Sequence, residues 1–314
     1  MTTQGAPMLD RRQLETFATV LECRHFRNAA AILNISPGAV SQRIQNLEAA
    51  VGAVLLLREP SIAPTRAGEA ILRYIMAVRL LEQETLEIIK PGKSPPVRIA
   101  VAVNADSLAT WFEPVSWKLA MEHIQLEIIV DDQDHTVTAL ARGDVKGCIS
   151  TQPEPLTGFQ ADFAGGMRYR CVATPGFVET RLPKGMTLPA LVDVPAILFD
   201  RKDAIHDKFL STFFNVNVDR YRKHYFPSPT ALLNAILNGL GYGLVPEMQI
   251  ENLLQSGGLV DLTPGHSLLL ELYWHHWESE PEPLAKITEL VMDQARCNLL
   301  RELPPSQGEH LRHG

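Results

Sequence analysis

Four cysteines in 314 residues are too few, and too far apart, to frame a fold. Cys23, Cys148, Cys171 and Cys297 form no CxxC pair, which leaves free thiols suited to a reducing compartment. No apolar run reaches the ~18 residues that a membrane helix needs. Residues 1–13 lack the apolar core of an export signal, so the chain is expected to be cytoplasmic, with no membrane partner. Also missing are a Walker loop, a GxGxxG after a strand and a GxSxG elbow. His123, His135 and His206 lack metal-ligand spacing, and His275 and His276 alternate across a strand. The expectation is therefore no metal, no cofactor and no enzyme. Low-complexity tracts and tandem repeats are absent too.

What is present divides unevenly. The chain carries a net charge of −7, but residues 1–90 hold 10 Lys/Arg against 9 Asp/Glu, and the remainder 19 against 27. The first 90 residues are thus the part compatible with a polyanion.

Within them, Phe26, Ala29, Ala30 and Leu33 repeat as one apolar helix face, and a second helix follows. Ser36 supplies a cap and Pro37 suits the first helical position. Val40, Ile44, Leu47 and Val51 face inward. Gly38, Ser41, Gln42, Arg43, Gln45 and Asn46 face outward, polar and almost free of acid. Small residues let the backbone approach phosphates, and Gln, Asn and Arg can read base edges. Ser36, Pro37, Gly38, Ser41, Gln42 and Arg43 are accordingly the candidate contacts to double-stranded DNA. On pattern alone, a plain helical hairpin with a solvated face remains the alternative.

The surroundings favour the DNA reading. Asp10 caps a first helix with Leu14, Phe17, Ala18 and Leu21 inside. Residues 54–58 form a short apolar strand, and the loop 59–64 is too proline-rich to extend it. Three helices and this extension make a winged helix-turn-helix over residues 8–64, in which Arg58 can reach backbone or minor groove. Thr65 caps the next helix, 65–90, where Ala67, Ile71, Tyr74, Val78, Leu81, Thr85 and Ile88 alternate steps of four and three. That heptad seam calls for a second helix, so Ile71, Tyr74, Val78, Leu81 and Ile88 are candidate dimer contacts on a rod of about 35 Å. Paired heads suit paired half-sites. Residues 91–96, PGKSPP, read as a hinge.

Beyond the hinge, strands and helices alternate over residues 97–303, the sign of a parallel sheet wound with helices. Strands are expected at 97–103, 124–130, 147–150, 169–173, 196–199, 220–226 and 268–277. Helices are expected from Ser107 (bent near Pro114), around 137–141, and over 205–214, 230–238 and 283–303. Two α/β lobes fit: lobe I at about 97–163 and 270–303, lobe II at about 164–269. The tail 304–314 is expected to be disordered.

AAAILNISPGAVSQRIQNLEAAVG, LLLRE and PTRAG resemble the DNA-binding domain of LysR-type transcriptional regulators. The resemblance implies a winged helix-turn-helix, a dimerising linker helix and an effector domain like type 2 periplasmic binding proteins, often assembled as dimers of dimers. AVNADSLATWF, LFDRKDAIHDKF, VPEMQIENLL, GGLVDLTPG and LYWHHW resemble its ArgP/LysG/IciA branch. That branch implies control of basic amino-acid export with lysine or arginine as effector, engagement of RNA polymerase being one route. An alternative within it is an origin- or nucleoid-binding protein that inhibits replication initiation with little effector dependence. Gly38 stands where the branch often has Ser, and PTRAG replaces the more usual LTxAG.

An amino acid needs donors for its carboxylate and acceptors for its ammonium group, best found between lobes at strand ends. Asn104, Asp106 and Ser107 combine a turn, an acid and an expected helix cap. Asp131 and Asp200 are further acids at strand ends, Thr151 and Thr230 further hydrogen-bonders, and Trp111 an aromatic wall for an aliphatic chain or cation. Each has a plainer reading: Asp131 as a solvated strand end, Asp200 as a cap, Trp111 as core.

Overall fold

A computed structural model describes residues 9–59, 61–90, 97–121, 124–130, 133–215 and 221–301. The expected hinge 91–96, Asp131, Arg220 and the tail 304–314 lie outside the described residues.

The amino-terminal head is built by short-range signals. Helix α1 (Arg11–Cys23) starts where the Asp10 carboxylate accepts the Gln13 N–H at 3.0 Å. α2 (Phe26–Leu33) leads to α3 (Pro37–Val51), whose start is held by Ser36 Oγ accepting the Ala39 N–H at 3.1 Å. Each cap satisfies an N–H that the first helical turn cannot. Phe17, Ala18, Val20, Ala29, Ala30, Val40, Ile44 and Leu47 close the core between them. α3 ends at Gly52 (φ +75°), a conformation that costs glycine little.

The wing departs from the expected single strand. β1 (Leu56–Leu57) pairs antiparallel with β2 (Ala63–Pro64), Leu56 facing Pro64. In a two-stranded ribbon both strands are edges, so a proline that cannot donate is tolerated. Glu48 Oε1 accepts the Leu55 N–H at 2.8 Å and ties the wing to α3.

Helix α4 (Arg66–Ile89) is unbroken for 24 residues. Its cap, Thr65, accepts the Gly68 N–H at 3.1 Å and donates to Val54 O at 2.7 Å. A Cβ at Gly68 would lie 2.1 Å from Leu55 O, so no larger residue lets α4 approach the wing this closely. One side of α4 seals the head through Leu72 and Ile75, and further along Leu80 enters the sheet domain's core. Of the seam, Tyr74 (48%), Leu81 (51%) and Ile88 (73%) stand exposed with Leu86 and Ile89, and Val78 is half-buried. Ile71 differs: it packs on the head's own core, so it is spent before any second chain arrives.

The rest forms one curled sheet with helices. In chain order it runs β3 (Val97–Val103), α5 (Ala105–Ser107), a π-turn (Leu108–Phe112), α6 (Glu113–Met121), β4 (Ile124–Val130), α7 (Gln133–Ala141), β5 (Gly147–Ser150), β6 (Phe159–Ala173), α8 (Pro175–Arg181), α9 (Leu188–Asp193), β7 (Ala196–Leu198), α10 (Ile205–Phe214), β8 (Lys223–Tyr225), α11 (Pro229–Leu237), β9 (Tyr242–Pro246), α12 (Glu247–Gln255), β10 (Val260–Asp261), β11 (Leu268–Trp277) and α13 (Glu282–Asn298). Strand order is β4-β3-β5-β11-β6-β9-β7-β8, with β10 on β6.

The expectation of a parallel sheet holds only at the two ends. β3 pairs parallel with β4 and β5, and β7 parallel with β8 and β9. Between them β11 runs antiparallel to β5 and β6, and β6 antiparallel to β9. Lobes I and II are thus joined by long strands that belong to both. β6 is 15 residues long where only its last five were expected, because Gly165 and Gly166 resemble a loop. They are there for room: a Cβ on Gly165 would meet Leu299 Cβ at 2.5 Å.

Candidate functional site

The outward face of α3 carries Gln42, Gln45 and Asn46 exposed. Gln42 Nε2 donates to Asn46 Oδ1 at 3.0 Å, one helical turn on, which orders two amides side by side. Ser41 donates back to Pro37 O at 3.2 Å. A Cβ on Gly38 would meet only Ser36 Oγ, at 3.9 Å, so the helix start is open to a close neighbour. Arg43 leaves this face. It is half-buried and its guanidinium donates to Thr16 Oγ1 on α1 at 3.3 Å, because its position borders the buried Val40–Leu47 side. Arg58, past β1, sits 5.5 Å from the Phe26 ring, a cation–π contact that fixes the wing base beside α2.

The second site is the crevice between the lobes. Asp106 of the short α5 after β3, Tyr169 on β6, Phe199 and Asp203 after β7, Pro229 and Leu232 of α11, Pro246 at the end of β9 and Gln249 of α12 line it. Among the described residues no lysine or arginine does. Strand C-termini converge here from both lobes, the usual place for a ligand in such sheets. The walls lie close, leaving about 20 Å³ free.

Asp106 accepts from Tyr169 Oη at 2.7 Å. Burial pushes its carboxyl up to about 6, the nearby Asp203 adds to the rise, and the tyrosine bond opposes it. Burial likewise raises Asp203, whose two oxygens accept the Phe199 and Ile205 N–H groups at 3.1 and 3.0 Å. Gln249 Oε1 is buried with no protein partner among the described residues.

The expected ligand residues are scattered differently. Asn104, not Ser107, occupies the cap position, and its side chain makes no cap bond. Ser107 lies three residues on from Asn104 and is fully buried, so it does not open the helix as expected. Asn104 Oδ1, Ser107 Oγ and Trp111 Nε1 are all buried without a partner among the described residues, beside the π-turn. Trp111 is 1% exposed, edge-on to Phe112 at 5.6 Å, and belongs to the core, not to a wall of the crevice. Asp200 Oδ1 accepts the Lys202 and Asp203 N–H groups at 2.7 and 3.0 Å, so it shapes the turn that carries Asp203. Thr151 is half-buried after β5, and Thr230 is exposed beside the crevice-lining Pro229. Sequence reasoning missed Tyr169, Asp203 and Gln249. Asp203 had a signal, since DRKDA carries a second acid three residues after Asp200; an isolated tyrosine in a strand had none.

A winged head, a long helix with an unpaired seam and a two-lobed sheet domain with a crevice define a ligand-responsive DNA-binding architecture. Residues 11–69 match the family described as bacterial regulatory helix-turn-helix protein, lysR family, and residues 115–296 match the LysR substrate binding domain. The chain belongs to the LysR family of transcription regulators.

Among proteins it is similar to is the HTH-type transcriptional regulator ArgP of Photobacterium profundum, 40% identical over 290 residues, 92% of this chain and 97% of that one. The crystal structure of ArgP from Mycobacterium tuberculosis superposes with a TM-score of 0.83 at 34% identity, covering 94% and 100% of the two chains. Full-length LysG from Corynebacterium glutamicum with bound effector Arg gives 0.80 at 32%, covering 93% and 99%. Among the described residues no helix is long and apolar enough to cross a membrane, and no group of three His, Cys, Asp or Glu could hold a metal ion.

Proposed function

We propose that this regulator reads promoter half-sites as a dimer and that a basic amino acid, arginine or lysine, held between its lobes controls how the two heads are presented. The observation that carries this is the interlobe Asp106: a desolvated carboxylate near a second one, Asp203, in a crevice that no cationic side chain lines among the described residues. Such a pair is costly until a cation arrives. A guanidinium or ammonium group supplies it, and planar guanidinium can bond both oxygens of one carboxylate. The bound arginine of the similar LysG supports the choice.

The crevice in its closed form leaves too little room for such a ligand, so the lobes must part to admit it. Binding changes the regulator only if the ligand prefers one lobe arrangement. Thr230, on the first turn of α11 beside the crevice-lining Pro229, is assigned to the ligand's carboxylate. Ser36, Pro37, Gly38, Ser41 and Gln42 contact DNA, with Arg58 on the flanking backbone; Arg43 acts by holding α3 against α1. Tyr74, Val78, Leu81 and Ile88 pair with a second copy. The working units are residues 8–64, 65–90 and 97–303, and the target genes serve amino-acid export or metabolism, with polymerase engagement changed by the rearranged dimer.

Calorimetry of the full chain against a panel of amino acids tests this. Arginine or lysine should bind and neutral amino acids should not. No heat and no thermal shift with either basic amino acid would remove the ligand assignment, and promoter binding insensitive to every amino acid would favour the replication-inhibitor reading.

A further inference from the structure

A much larger space lies between the head and lobe I. About 750 Å³ is enclosed by the wing (residues 61–64), α1, α4 and the turn between α7 and β5. That volume falls in the range of small-molecule sites, which favour domain junctions. One wall is apolar: Leu21, Ile62, Leu72, Met76 and Leu80. The other walls carry five cationic side chains, Arg24, Arg79, Arg98, Arg142 and Lys146, against two acids, Glu22 and Asp144.

Those acids are already engaged. Glu22 pairs with Arg79 at 3.2 Å, Arg79 is held more closely by Glu15 at 2.6 Å, and Asp144 lies 4.0 Å from Arg24. Arg98, Arg142 and Lys146 form no ion pair among the described residues. Lys146 Nζ donates to Gly143 O at 2.9 Å and touches Met76 Sδ at 3.0 Å, neither of which is charged. Burial pulls its ammonium down to about 8, against the opposing pull of Asp144 and Glu22. Of the three, only Lys146 is half-buried; Arg98 and Arg142 are exposed, and like charges gathered around one groove favour an anion there.

We propose that this groove is a second ligand site, separate from the interlobe crevice, for a small organic anion carrying two or more negative charges. The Arg98 and Arg142 guanidiniums take its phosphate or carboxylate oxygens, Lys146 adds a point charge at the base, and the apolar wall holds its carbon skeleton. Arg24 and the wing belong to the head, Arg79 to the linker helix, and the other three cations to lobe I. An occupant therefore bridges all three and favours one seating of the head on the lobe. By linkage it changes affinity for DNA by the factor by which DNA changes affinity for it.

The test uses the full chain, with pyrophosphate and citrate as probes at matched ionic strength, read by calorimetry. Wild type should bind at least one probe, and Arg98→Gln/Arg142→Gln should bind it at least tenfold more weakly while keeping a cooperative melt. If the double variant loses that melt, the single exposed-rim variant Arg142→Gln is read the same way, with a threefold loss expected. Preference for pyrophosphate or for citrate assigns the anion's chemistry. Absence of binding by both probes, or equal binding by wild type and variant, overturns the site. So does a drop in the variant's DNA affinity with a shallower salt dependence when no small anion is present, since these arginines would then be DNA phosphate contacts.

Discussion

The head and the lobes solve opposite problems. The head must present polar groups to an outside partner, so its candidate contacts lie on one exposed helix face whose amides are ordered by a neighbour one turn away. The lobes must hide a charge, so theirs are drawn from five separate segments and desolvated. In the head, function sits on the surface and stability beneath it. In the crevice the two coincide, because the buried carboxylates that would bind a cation are also a cost to the ligand-free fold. Surface sites other than the Ser36 cap can therefore be altered with little effect on the scaffold, whereas a change in the crevice also changes stability.

The sharpest way to break this contrast is to damage one region and read the other. Ile44→Ala empties a fully buried position in the head and should cost about 2–5 kcal/mol there, seen as an early thermal transition with loss of DNA binding. Arginine heats should persist. If both functions fail together, the head and lobes are one cooperative unit.

Next in size is Asp106→Asn, expected to weaken arginine binding roughly 10–100-fold, the ~1.5–3 kcal/mol of a hydrogen bond to a charged group. In wild type, arginine affinity should fall as pH drops through about 6, where Asp106 protonates, and the variant should lack that slope. Ligand-free stability should run the other way. Because the folded value lies above the ordinary 3.8, Asp106's contribution is full below that value and is lost as pH rises from about 4 to 6. Equal pH slopes in wild type and variant would mean another group senses the ligand.

Gln42→Ala should relax base preference by about 1–3 kcal/mol at one position, measured by binding to a set of single-base operator variants. An unchanged preference would move the reading role to Gln45 or Asn46. Smallest, Ser36→Ala should cost about 1 kcal/mol by freeing the Ala39 N–H, with arginine binding untouched. A larger loss in DNA affinity than in head stability would show that the Ser36 hydroxyl also meets phosphate.

Legibility followed the same divide. The caps at Asp10, Ser36 and Thr65 were readable because each spans three residues, and the helix faces because they repeat every three or four. The seam was readable too, yet two members, Ala67 and Ile71, proved to pack on the head's own core, since periodicity marks an apolar row and not the partner that covers it. Arg43 lies away from the expected outward face for a related reason: at the border of two faces, only the position of α1 decides which way a long side chain lies. Ser107 was displaced by one short stretch, because Asn104 starts the helix earlier.

By itself, the sequence determined the winged head, the single long helix, the two α/β lobes and the membership in a regulator family. Only the tertiary structure decided that the sheet is mixed, that Asp200 builds a turn while Asp203 faces the crevice, and that Tyr169, 63 residues away, meets Asp106. Hydrogen bonds within a turn depend on neighbours in the chain, but desolvation depends on everything packed around a group. A carboxylate's burial cannot be read from its own position, and it is burial that turns Asp106 from one acid among 36 Asp and Glu residues into a candidate sensor.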